Sequence, residues 1–94
     1  MDIKYTILYD YYVCLLTDKQ KKYFEDYYFD NLSLQEIADN YSVSRNAIHN
    51  SLKDILAKLD NYEESLRLVN KRDKINRLIE NIDEDIKKQI KELI

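Results

Sequence analysis

The sequence predicts an all-α fold, and three observations carry that expectation. Gly and Pro are both absent. Without Gly, hairpin turns that need positive φ lose their best residue, and without Pro nothing breaks a long helix outright. Apolar residues make up 45% of the chain and charged ones 35%, and they recur with the helical period of 3.6. Residues that cap helices stand just ahead of the periodic stretches, as in Thr17-x-x-Gln20 and Ser33-x-x-Glu36. Ninety-four residues make one domain by length, with a modest core that gains from oligomerisation.

The first helix is expected over Asp2–Leu16, with Ile7, Leu8, Tyr11, Tyr12 and Leu15 on its buried stripe. Thr17 ends it and opens the second helix through a capping box, with Asp18 suited to the positive end of the helix dipole. That second helix runs to about Phe29 and turns Tyr23, Phe24, Tyr27 and Tyr28 to the core. The spacing of these aromatics fits one helix face, so it favours core packing over a platform for stacked bases. Asp30-Asn31-Leu32 is a loop, in which Asn31 can take the left-handed conformation without Gly.

The stretch Ser33–Leu59 organises the chain. Ser33 and Glu36 form the second capping box, and Leu34, Ile37, Ala38 and Tyr41 share a face. Ser42 stands where such a turn usually has Gly or Asn, and positive φ there costs about 1 kcal/mol. Val43 plugs the corner and Ser44 caps the next helix. Ile48, Leu52, Ile55, Leu56 and Leu59 give that helix its own apolar face. Two helices joined by so short a turn form a helix-turn-helix unit. The second helix then runs on. Ile48, Leu52, Ile55, Leu59, Tyr62, Leu66 and Val69 alternate in steps of four and three, the seam of a heptad pattern. Asn70–Asp73 is polar and is expected to break the helix. Ile75, Leu78, Ile79, Ile82, Ile86, Ile90 and Leu93 continue an apolar stripe to the end, and Asn81–Glu84 can start a separate last helix. The architecture expected is a helix-turn-helix core without a wing, a long fourth helix and a C-terminal helical tail. Residues 1–68 form the domain and 69–94 the tail.

Composition narrows the function. The net charge is −3, a handicap for a nucleic-acid binder that gains affinity from counterion release. From Thr17 to Asp60 there are six basic and eight acidic residues. The single Cys, Cys14, forms no disulfide within the chain and is expected to be a buried free thiol. One His and one Cys build no zinc site by themselves, and no other metal or cofactor is expected. The sequence holds no Gly-rich phosphate loop and no nucleophile–base motif, so the chain reads as a non-enzyme with no catalytic residues. No apolar run reaches transmembrane length and the acidic start is unlike a signal peptide. A soluble, cytoplasmic protein without membrane insertion is expected.

Thr17–Leu59 resembles region 4 of bacterial sigma factors in its "LT-x-K-Q" entry, its "LS-x-x-EIA" first helix and the "VSR-x-A" that opens the second. A closer resemblance covers most of the chain. ILYDYYVCLLTDKQKKYF, DNLSLQEIA, SVSRNAI and NYEESLRL are similar to the YlxM family of small helix-turn-helix proteins, strongly to about Leu68 and weakly in the tail. The resemblance implies a sigma-like DNA-binding module without the polymerase-binding regions. It also implies an accessory or regulatory role in the signal recognition particle pathway, whose GTPase or small RNA would be the partner.

Two groups of residues are candidates for binding nucleic acid. Once Ser44 caps the helix, Arg45, Asn46, His49, Asn50 and Lys53 fall on its exposed face. Arg suits guanine and Asn suits adenine, while Ser44 and the helix N-terminus suit a phosphate. The competing reading is a solvated polar face. In the tail, Arg67, Lys71, Arg72, Lys74 and Arg77 cluster with only Asp73 among them, a basic patch for phosphates or an ordinary charged face. A homodimer is expected through Leu59, Tyr62, Leu66, Val69, Ile75, Ile79, Ile82, Ile86 and Ile90, which lie beyond the reach of the helix-turn-helix core. The alternative folds the tail back as an antiparallel hairpin.

Overall fold

The computed structural model describes residues 3–94, and every regular element among them is helical. Helix α1 spans Ile3–Tyr12 and tightens into a 3-10 turn at Val13–Leu15; α2 spans Asp18–Tyr28, α3 Leu34–Tyr41 and α4 Arg45–Leu66. Two tail helices follow, α5 at Leu68–Leu78 and α6 at Glu84–Leu93. Asp2, expected at the start of the first helix, lies outside the described residues.

Local chemistry sets the helix starts. The Thr17 hydroxyl accepts from the Gln20 amide at 3.1 Å, and the Gln20 side chain accepts from the Thr17 amide at 2.9 Å. Ser33 and Glu36 repeat the reciprocal pair at 3.1 Å each. The Ser44 Oγ accepts from the Ala47 amide at 3.0 Å, and Asp83 accepts from the amides of Asp85 and Ile86. Each bond satisfies a donor that the first helical turn leaves without a partner. The turn between α3 and α4 closes as expected. Ser42 is left-handed at φ 55°, and the Val43 amide donates back to the Ala38 carbonyl at 3.0 Å. Asn31 is left-handed too, at φ 55°.

Helix α4 is the axis of the fold, with α1, α2 and α3 packed around it. Phe24, Ile37, Ala38, Ile48, Ile55 and Leu59 are fully enclosed, and Tyr12 nearly so. The rings of Tyr9, Phe24 and Tyr28 stack in series at 4.3 and 4.4 Å, joining α1 to α2. Tyr41 meets the edge of Tyr23 at 5.0 Å and donates to Asp26 at 3.0 Å, holding α3 on α2.

Several expectations change. The first α-helix ends at Tyr12, and the 3-10 turn advances the chain by about 120° per residue in place of 100°. That added rotation turns Leu16 inward and leaves Leu15 exposed, while Tyr9, within α1 itself, is buried as well. Cys14, on the outside of the same turn, is exposed and not buried. The long helix breaks at Arg67, left-handed at φ 54°, ahead of the polar run Asn70–Asp73, which lies inside α5.

The break is a designed joint. Glu63 accepts the Tyr12 hydroxyl at 2.5 Å and the amides of Val69 and Asn70 at 3.1 and 3.0 Å. The Leu68 amide donates to the Tyr12 hydroxyl at 3.1 Å. Three amides of the first turn of α5 therefore find acceptors on one buried tyrosine and one carboxylate. Burial opposes the Glu63 charge, but these hydrogen bonds outweigh it and hold the carboxyl below its usual range. Burial, with the bond to Glu63, pushes the Tyr12 hydroxyl up to about 12.

Helix α1 also covers the part of α4 expected to be bare. Tyr5 donates to Asp60 at 2.9 Å and Tyr12 to Glu63, so α1 runs beside the C-terminal half of α4. Leu59 is enclosed by its own chain, and Ile79 is buried by it. Tyr62, Val69, Ile75 and Ile90 are half-buried, while Leu66, Ile82 and Ile86 are exposed. The end of α6 returns to α1 and α5, where Ile94, Leu93, Leu68, Ile75 and Tyr11 line a hollow of about 340 Å³.

Candidate nucleic-acid interface

Helix α4 turns one polar face outward, and its own sequence decides which. Ile48, Leu52 and Ile55 point into the core. Rotation by 100° per residue then sends Arg45, Asn46, His49, Asn50 and Lys53 outward, and all five are exposed. Among the described residues, none of these five side chains is bonded or ion-paired within the chain. The first turn of α4 carries no acidic residue, so nothing opposes the positive end of a dipole 22 residues long. Ser44, by contrast, spends its Oγ on the Ala47 amide and is fixed as a cap.

The acidic residues that weaken the local field are partly engaged elsewhere. Glu36 closes its capping box, and Asp39 accepts from Gln35 at 2.8 Å. Asp60 pairs with Lys4 at 3.1 Å, away from the first turn of α4. Asp54 remains exposed on α4 itself.

The second basic group does not join the first. Arg45 and Arg67 stand at opposite ends of α4, about 33 Å apart along the helix. Arg67 occupies the joint. Arg72 lies over the Tyr11 ring at 5.3 Å and bonds Asp73 through Nε and Nη2 at 3.2 and 3.0 Å. Lys71, Lys74 and Arg77 are exposed, with Arg77 Nε donating to the Asp73 carbonyl at 3.4 Å.

The full chain from residue 2 to 94 matches the family described as "Putative helix-turn-helix protein, YlxM / p13 like". The chain belongs to this family, UPF0122. A UPF0122 protein of Halalkalibacterium halodurans is 40% identical over 87 residues, which are 93% of this chain and 80% of that protein. Shouchella clausii has a UPF0122 protein 46% identical over 69 residues, 73% of this chain and 63% of the relative. UPF0122 protein YlxM of Bacillus subtilis is 50% identical over 64 residues, 68% of this chain and 58% of its own length. For the last two, the match spans less than two thirds of the relative. Among the described residues of this UPF0122 chain no cluster of metal-ligating side chains occurs, and no helix is long and apolar enough to cross a membrane.

One surface feature beside the polar face escapes the sequence. Tyr27 shares the inward side of α2 with Tyr23 by helical angle, yet it is 39% exposed. It stands one turn further along the helix. With Tyr28, Leu34, Leu56, His49 and Lys53 it lines a hollow of about 280 Å³. Periodicity carries no signal of this, because it reports the angle of a residue and not where its neighbours stop.

Proposed function

We propose that this protein is a small non-enzymatic regulator that works by binding nucleic acid through the first turns of α4. The observation that carries the reading is the set Arg45, Asn46, His49, Asn50 and Lys53, all exposed and, among the described residues, all unpaired, on the second helix of a helix-turn-helix. Side chains of this kind match base edges, and the bare N-terminus of α4 matches a backbone phosphate. The resemblance to YlxM proteins points to the signal recognition particle pathway, so the particle's small RNA and its GTPase are the first partners to test. A DNA operator near its own gene is the alternative target. The acidic balance of the chain predicts modest affinity that relies on few phosphate contacts.

The test is binding of the purified protein to the particle's small RNA, its GTPase and its own operon DNA, at two salt concentrations. The reading expects one nucleic acid to bind, to weaken as salt rises, and to be lost on Arg45→Ala while Arg67→Ala has little effect. Binding that resists salt and ignores Arg45→Ala would overturn it. Capture of the GTPase alone, without nucleic acid, would move the function to a protein partner.

A further inference from the structure

We propose that the hollow between α2 and α4 is a stacking site for an unpaired nucleobase, so that single-stranded nucleic acid is the preferred ligand. The inference rests on the function proposed above and names its substrate class.

The hollow has three features that suit a base and its phosphate. Its wall is aromatic, with Tyr27 39% exposed and meeting the Tyr28 ring edge-on at 5.2 Å. Tyr28 is braced by its stack on Phe24 at 4.4 Å. Its floor is apolar, from Leu34, Leu52 and Leu56. Its rim is polar and includes the cation Lys53, beside His49, both from the exposed face of α4. A flat apolar ring fits the wall and floor, and its phosphate meets the rim.

The same tyrosine pair borders a second hollow of about 360 Å³, completed by Asn31, Leu32 and Ser33. Two concave sites therefore flank one aromatic ridge, an arrangement that fits successive bases of a strand. A base inside a duplex is stacked on both faces and paired along its edge, so it cannot enter either hollow. Unpaired bases in loops and single strands are free to do so, and aromatic side chains are their usual partners. The charge at the rim favours this occupant over an aromatic side chain of a partner protein, which carries no phosphate.

Fluorescence anisotropy with random-sequence pools of about 12 nucleotides, as RNA, single-stranded DNA and duplex DNA, decides the matter. Single strands are expected to bind tighter than the duplex. Tyr27→Ala should weaken single-strand binding by roughly 5- to 150-fold and Tyr27→Phe should restore it, while duplex binding changes little. Tyr27 is exposed, so far-ultraviolet circular dichroism should show both variants folded. If Tyr27→Ala leaves single-strand binding unchanged while Arg45→Ala abolishes it, the stacking site is wrong and the α4 interface stands. If neither single strands nor duplex bind, both readings fall. A preference of RNA over single-stranded DNA, or the reverse, identifies which strand supplies the base.

Discussion

Removing the carboxylate of Glu63 should unlock the joint between α4 and α5, and the structure sets the size of the effect. Glu63 accepts three hydrogen bonds, from the Tyr12 hydroxyl and the amides of Val69 and Asn70. A hydrogen bond to a charged group contributes about 1.5–3 kcal/mol, but water can replace part of the loss at a half-buried site. Glu63→Ala should therefore cost about 2–4 kcal/mol. A domain of this size has about 5–14 kcal/mol in total, so the change consumes a large share. The melting temperature should fall by about 10–20 °C. Tyr12→Phe keeps the ring in the core and removes only the hydroxyl, at about 1–2 kcal/mol. The two changes share a bond, so the double variant should be less destabilised than the sum by about 1 kcal/mol. Urea unfolding followed by circular dichroism measures all four corners. The neighbouring Glu64→Ala, at an exposed position, should move stability by less than about 0.5 kcal/mol. Equal small effects at Glu63 and Glu64, or strict additivity with Tyr12→Phe, would refute the joint.

Four further outcomes follow from the same structure. Glu63 titrates below its usual range when folded, so its contribution is complete above the ordinary carboxylate range and is lost as pH falls through the lowered value; Glu63→Gln should flatten that part of the acid unfolding curve. At the other end, Tyr12 is held up to about 12 from an ordinary 10, so its contribution is complete below pH 10 and fades as pH approaches 12, a loss that Tyr12→Phe should remove. Ser42 sits at φ 55° in the turn, and Ser42→Gly should raise stability by about 0.5–1 kcal/mol in thermal melts, with a lower melting temperature counting against strain at that residue. Leu59→Ala should cost about 2–5 kcal/mol because Leu59 is wholly enclosed, whereas Leu66→Ala, 44% exposed, should cost less than half as much; similar losses in urea unfolding would contradict the packing of α1 on α4.

Much of this fold is legible in the sequence because much of it is local. The starts of α2, α3 and α4 rest on bonds between a cap and the residue three positions on, so Thr17, Ser33 and Ser44 announce them. The outward set of the proposed interface follows from the same logic, since Ile48, Leu52 and Ile55 fix the rotation of α4 and leave Arg45, Asn46, His49, Asn50 and Lys53 outside. The family itself is written in four short segments that include these caps.

What the tertiary structure alone decided depends on partners far apart in the chain. The long helix ends at Leu66 because Glu63 and Tyr12, 51 positions apart, meet there and supply acceptors for a new helix. No window of sequence contains both. Leu59 is covered because α1 happens to lie beside it, and a heptad seam looks the same whether its cover is a second copy or the chain's own first helix. The inward turn of Leu16 and the exposure of Cys14 come from a 3-10 tightening that shifts each later residue by about 20°. Tyr27 is 39% exposed although it shares a helical angle with buried Tyr23. Caps and periodicity are encoded within a turn or two of helix; helix ends, cover and hollows are set by where other helices stop, and only packing settles that.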